Sequence, residues 1–163
     1  MKILSTVFIL TISCNLFAQY KVAGHYRDYF GSKLQISADN TFKFSWNFDL
    51  SASWTIGTWT QKGDTIYFRM TPVYDTLTHL KQNGVTADTL LLSDDEDSER
   101  ISPEQAAATV LSSGGQNRMA YPEKLVFKKG RLYKIVNNKL LTKTQKGILS
   151  DRKRKPWFYK SDD

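Results

Sequence analysis

The chain has 163 residues, a single cysteine and a formal net charge of +7 at pH 7. Hydrophobic residues make up 40% and charged residues 24%, a composition that excludes a disordered tail and a bundle of membrane helices. One cysteine excludes an internal disulfide and every multi-cysteine metal site, and the basic excess raises the question of an anionic partner.

Lys2 gives a short positive start, and Ile3 to Ile12 is apolar except for Ser5, Thr6 and Thr11. The run is shorter than the roughly 20 apolar residues of a spanning helix and has the length of the hydrophobic region of a secretory signal. Ala18 and Gln19 precede the polar Tyr20-Lys21. Residues 1–19 are therefore expected to be a cleaved signal peptide, leaving residues 20–163 as one exported domain, periplasmic or secreted. Thr11-Ile12-Ser13-Cys14 supports an alternative, a lipobox in which Cys14 carries a lipid anchor in the cell envelope. Against it, Leu16-Phe17-Ala18 stays apolar where a lipoprotein turns polar. No other run approaches spanning length, so no transmembrane span is expected.

Strand signals follow in close order. Gly24-His25-Tyr26 opens the first, and Leu34 and Ile36 alternate with Lys33, Gln35 and Ser37. Asp39-Asn40 suits a tight hairpin turn because both residues tolerate positive φ. Phe42, Phe44, Trp46 and Phe48 then alternate with Lys43, Ser45, Asn47 and Asp49, which sends the four aromatics to one face. Ser53 to Gln61 is rich in Trp, Thr and Ile, a strand composition. Lys62-Gly63-Asp64 turns the chain into Thr65 to Met70, which Pro72 closes. The stretch holding His79 reads as loop, and Thr86 to Leu92 as one more strand.

Residues 94–122 break the pattern. The acidic run Asp94, Asp95, Glu96, Asp97 and Glu99 opens a long segment with few large apolar residues, expected to be a partly disordered loop. Within it Ser102-Pro103-Glu104-Gln105 has the form of a capped helix start, with Ser102 as cap and Gln105 closing a capping box. A sharper reading makes the segment a lid over one barrel mouth. Strand signals resume at Leu125 to Phe127 and at Leu132 to Val136. Asn137-Asn138 is a strong two-residue hairpin signal leading to Lys139 to Thr142. Residues 147–163 form a basic C-terminal segment, extended as far as Tyr159 and interrupted by Pro156. The fold expected is all-β: a small antiparallel meander barrel or strongly curved sheet, with a long loop carrying one short helix. Closure into a barrel removes exposed edges.

The order Gly24-His25-Tyr26, Asp39-Asn40-Thr41-Phe42, Gly57-Thr58-Trp59, Gly63-Asp64-Thr65-Ile66 resembles the N-terminal half of bacterial lipocalin-like exported proteins. It is also similar to the barrel of copper-resistance lipoproteins. The resemblance covers about residues 22–71. It departs from true lipocalins in placing Tyr26 where they carry Trp near the first strand. It departs from the copper-resistance lipoproteins in lacking their Cys-x-x-Cys pair. What it implies is a barrel, with a small apolar ligand in its interior, and no copper or redox chemistry.

Three functional readings are open. In the first, a non-enzymatic envelope or secreted protein binds a small apolar ligand among Phe42, Phe44, Trp46, Phe48, Trp54 and Trp59; the same rings serve equally as core. In the second, Arg152-Lys153-Arg154-Lys155 with Trp157 docks on an anionic surface such as lipid phosphate, polysaccharide or another polyanion; export argues against nucleic acid. The bland counterpart is a solvated strand end whose lysines protect an edge. In the third, a hydrolase uses an unrecognised site. It lacks a Gly-x-Ser-x-Gly elbow and has only His25 and His79 as histidine bases. No catalytic residue, metal site or cofactor is assigned. Charge is unevenly spread: residues 20–93 carry 7 basic and 6 acidic side chains, 94–117 carry 1 and 6, and 118–163 carry 14 and 4. Pairing of the acidic run with Arg152 to Lys155 is one expectation from that split.

Overall fold

A computed structural model describes residues 21–49, 51–81, 83–111, 114–117, 121–147 and 150–161, without the side chains of 110 and 111. The expected signal peptide and Cys14 lie outside the described residues. The strands are β1 (Gly24–Arg27), β2 (Ser32–Ile36), β3 (Thr41–Phe48), β4 (Ser51–Lys62), β5 (Thr65–Met70), β6 (Tyr74–Leu80), β7 (Thr86–Leu92) and β8 (Arg100–Ile101). After helix α1 (Pro103–Leu111) come β9 (Lys124–Lys128), β10 (Arg131–Val136), β11 (Lys139–Leu140), β12 (Gln145–Gly147), β13 (Ser150–Arg154) and β14 (Phe158–Ser161). Eight of the strands close an antiparallel barrel in the order β1-β2-β3-β4-β5-β9-β10-β14, and β14 returns to β1. Among the described residues no helix is long and apolar enough to cross a membrane.

The alternation read from the sequence sets the two faces. Leu34, Phe44 and Thr55 sit opposite one another across β2, β3 and β4, and all three point inward. Tyr26, Leu34, Ile36, Phe42, Phe44, Trp59, Ile66, Phe68, Leu125, Leu132 and Phe158 join Val22 in one buried cluster. Burying each large side chain contributes about 1.5–3 kcal/mol. Gly57 faces this cluster opposite Phe42, and a Cβ there would collide with the carbonyl oxygen of Arg69. The turns use the expected residues: Asn40, Asn137 and Asn138 all take positive φ, at 67°, 50° and 58°.

A second sheet of order β7-β6-β8 stands beside the barrel. The stretch around His79 is therefore strand β6 rather than loop. Its apolar signal is thin, and pairing with β7 and β8 supplies what local pattern lacks. Helix α1 begins as expected: Gln105 N–H donates to Ser102 Oγ at 3.3 Å and Ser102 N–H to Gln105 Oε1 at 2.8 Å. Burial of Ala106 and Ile101 marks where it packs, against β6 of the second sheet. The C-terminal segment is not one extended run. It divides into a projecting β12–β13 hairpin and the barrel strand β14.

Candidate functional site

The six aromatics grouped as ligand contacts divide into three environments. Phe42, Phe44 and Trp59 are 3%, 1% and 1% exposed and pack within the barrel cluster. Phe42 meets Phe68 edge-on at 4.8 Å. An interior formed by eight strands is just wide enough for side chains to fill, and these rings pack there with Leu34, Ile66, Leu125, Leu132 and Phe158. Trp46 and Phe48 follow on the same face toward the barrel end, stacked 6.3 Å apart. Trp46 Nε1 donates to the carbonyl of Phe30 at 2.9 Å, which ties the β1–β2 turn across that end.

Trp54 is on the other side of the wall. It stands opposite Ser45, whereas Phe44 and Trp46 stand opposite Thr55 and Ser53. It therefore cannot share a cavity with the other five. It is buried from outside by the acidic segment: Trp54 Nε1 donates to the carbonyl of Asp94 at 2.6 Å. Residues 114–117 also run beside it, with Trp54 N–H donating to the Gly115 carbonyl and Asn117 N–H to the Trp54 carbonyl. β4 extends past the end of β5, and this strap covers the free edge. Gln116 is the buried pin of the strap. Its Oε1 accepts from Val73 N–H and its Nε2 donates to the Thr71 carbonyl, both at 2.8 Å.

The basic C-terminus becomes part of a broader face on the outer wall. Phe158 points inward at 0% exposure, while its neighbours Trp157 and Tyr159 point outward. Cross-strand register places Arg27 opposite Tyr159, and Tyr159 opposite Arg131. The row continues from Arg27 to Lys33 on one side and from Arg131 to Lys128 on the other. Cations rest on the outward rings: Arg27 over Tyr159 at 5.4 Å, Arg154 over Tyr29 at 5.5 Å, Arg131 and Lys155 over Trp157 at 5.5 and 5.6 Å. Tyr133 packs on Trp157 at 5.5 Å and Tyr29 on Tyr159 at 5.2 Å. Arg152 and Lys153 are exposed on the hairpin strand β13. None of Arg27, Lys33, Lys128, Arg131 or Arg152 to Lys155 forms an ion pair among the described residues.

Among the described residues the acidic segment forms no ion pair with Arg152 to Lys155. Glu96 pairs with Lys43 on β3, and Asp94 covers Trp54 on β4. In the closed order, β3 and β4 are diametrically opposite β10 and β14. The expected pairing of the acidic run with Arg152 to Lys155 is thus not formed: the acidic run lies over β3 and β4, opposite β10 and β14 and next to the Lys33 end of the row, where Lys33 stands opposite Ser45 and Ser45 opposite Trp54.

The remaining polar groups have local explanations. Burial pushes the Tyr26 hydroxyl up to about 12, and the group donates to the Val22 carbonyl at 2.6 Å. Asp39, Asp88 and Glu104 are held below the usual carboxylate range, chiefly by hydrogen bonds from the side chains of Thr41, Arg100 and Ser102 respectively. His25 is exposed on the outer face of β1, and His79 lies on β6 of the second sheet. No cluster of three or more metal-ligating side chains occurs among the described residues. Comparison with family models, curated proteins and solved structures finds no match to this chain.

Sequence reading found the C-terminal half of the basic face and missed Arg27, Tyr29, Lys33, Lys128, Arg131 and Tyr133. Each is an ordinary strand or turn residue by itself. Only the pairing of β1, β2, β9, β10 and β14 brings them together.

Proposed function

We propose that the chain is a non-enzymatic β-barrel protein, exported or held in the cell envelope, that docks on a polyanion through its outer wall. The observation that carries this reading is the row of unpaired cations from Lys33 to Lys128, with Arg152 to Lys155 beside it. Guanidinium groups stay charged at any physiological pH, and the rings beneath hold several of them in place. The packed interior supports a binding surface on the wall over one inside the barrel.

The test is binding of the purified protein to immobilised dextran sulfate across a salt series. Affinity should fall steeply with salt, with a logarithmic slope of roughly −0.7 to −0.9 per neutralised contact by analogy with nucleic-acid binding. Arg131→Gln and Arg154→Gln should each flatten that slope. Deleting the C-terminal segment would be a poor test, because it removes β14 and with it the buried Phe158. Salt-independent retention, or a slope unchanged by both substitutions, would overturn the proposal. Mass spectrometry of the exported form distinguishes a chain free after residue 19 from one anchored at Cys14.

A further inference from the structure

We infer that the polyanion is a linear acidic polysaccharide, laid across the strands along the row Lys33, Arg27, Tyr159, Arg131, Lys128. The inference rests on the docking face proposed above and assigns its ligand class. Register makes Arg27 and Lys33 direct cross-strand partners, and likewise Arg131 and Lys128. Like charges directly opposite each other lower the stability of a sheet. Two such pairs flank Tyr159, and no carboxylate among the described residues offsets either. An arrangement that costs stability in the free protein is relieved by a ligand that presents negative charge along the same line. Five adjacent strands at about 4.8 Å spacing make that line roughly 19 Å long, measured along the curved wall from β2 round to β9. A polymer with a charge on each repeat matches it, where a single phosphate or headgroup meets only one end.

The rings argue against the two other polyanions. Trp157 already carries Arg131 and Lys155, and Tyr159 carries Arg27. Single-stranded nucleic acid gains affinity by stacking bases on free aromatic platforms, and these rings are engaged in holding cations. A bilayer interface takes up an apolar face. Three of the exposed aliphatic side chains, Leu80, Val85 and Leu90, lie on β6, β7 and the loop between them; on the strands of the row only Val136 among the described apolar side chains, at the far end of β10 from Arg131, is exposed, too little for an apolar face. Polysaccharide recognition needs what this wall offers: fixed charges in a line, held by the rings beneath them.

The experiment is calorimetric titration of the purified protein with a graded series of oligogalacturonates, alongside phosphatidylglycerol vesicles and oligothymidylate. Affinity should climb with oligomer length until the chain spans about 19 Å, then stay flat. Arg27→Gln combined with Arg131→Gln should weaken the long oligomers roughly tenfold, at about one exposed contact's worth for each cation. Both side chains are exposed, so the fold should survive, and tryptophan fluorescence checks it. Arg152→Gln with Lys153→Gln should leave the length at which affinity levels off unchanged. A plateau at the shortest oligomer, or loss of the plateau only in the hairpin variant, would overturn the row. Vesicles or oligothymidylate bound in preference to galacturonate would overturn the ligand class and leave the docking face standing. No binding to any of the three would overturn both.

Discussion

Replacing Lys134 by Met tests how the barrel is locked at its closing seam. Asp28 directly follows β1 and Lys134 sits on β10, with β14 between the two strands. The Lys134 ammonium reaches Asp28 Oδ2 at 3.1 Å and passes 5.2 Å from the Phe158 ring centre. The Asp28 side chain is 0% exposed and that of Lys134 is 23% exposed. Asp28 Oδ1 also accepts from Phe30 N–H at 2.8 Å and Ser32 N–H at 3.0 Å. Stranding one member of a buried pair typically costs about 3–5 kcal/mol. Partial exposure of the lysine and the two surviving N–H donors move the expectation to about 2–4 kcal/mol. Met keeps the stem that covers Phe158, so packing changes little. Asp28→Asn in the Lys134→Met background keeps an acceptor for both backbone donors and removes the stranded charge. The double variant should return to within about 1 kcal/mol of the parent. Urea unfolding followed by tryptophan fluorescence, with an unchanged m-value, gives the cycle. A Lys134→Met loss below about 1 kcal/mol, or a double variant equal to the sum of the singles, would refute the account of a coupled seam.

Three further outcomes follow from the same geometry. Tyr26 has its folded pKa raised from 10.0 to about 12. Its contribution, about 2–3 kcal/mol, should be fully present below pH 10 and lost as pH rises through about 12. Tyr26→Phe should remove that part of the alkaline decline in an unfolding series. Gln116→Ala strands Val73 N–H and the Thr71 carbonyl, so it should cost about 1–3 kcal/mol and speed hydrogen exchange at Val73. Asp95→Asn with Glu96→Gln should change polyanion affinity less than about twofold at physiological salt. The acidic run covers Trp54, two strand spacings or roughly 10 Å beyond Lys33, about one Debye length, and lies farther from the other cations of the row; a large tightening would show that the acidic segment competes for the basic wall.

What the sequence disclosed follows the range of the interactions involved. Alternation from Phe42 to Phe48, the Asn137-Asn138 turn and the Ser102–Gln105 capping box are local, and each was readable. The grouping of Trp54 with Trp59 overlooked a local signal, since residues an odd number apart on one regular strand face opposite sides. Strand β6 was not readable, because Tyr74–Leu80 takes its order from β7, β8 and α1. The role of Gln116 was equally hidden, as its partners lie 43 and 45 residues away.

The strongest consequence concerns what kind of binding element the C-terminus is. A basic tail must be ordered when it meets a ligand, and that ordering weakens binding. Here Phe158 anchors β14 in the core, and the same strand fixes Tyr159 on the wall between Arg27 and Arg131, with Trp157 just before it beneath Arg131. The strand that closes the barrel therefore also sets the spacing of the cations. Substitutions that loosen the seam at Asp28 and Lys134 should reach the binding face through β14, which lies between them. Stability and polyanion affinity are accordingly coupled in this fold, and a variant that weakens the first without touching an outward cation should also blur the length plateau of the second.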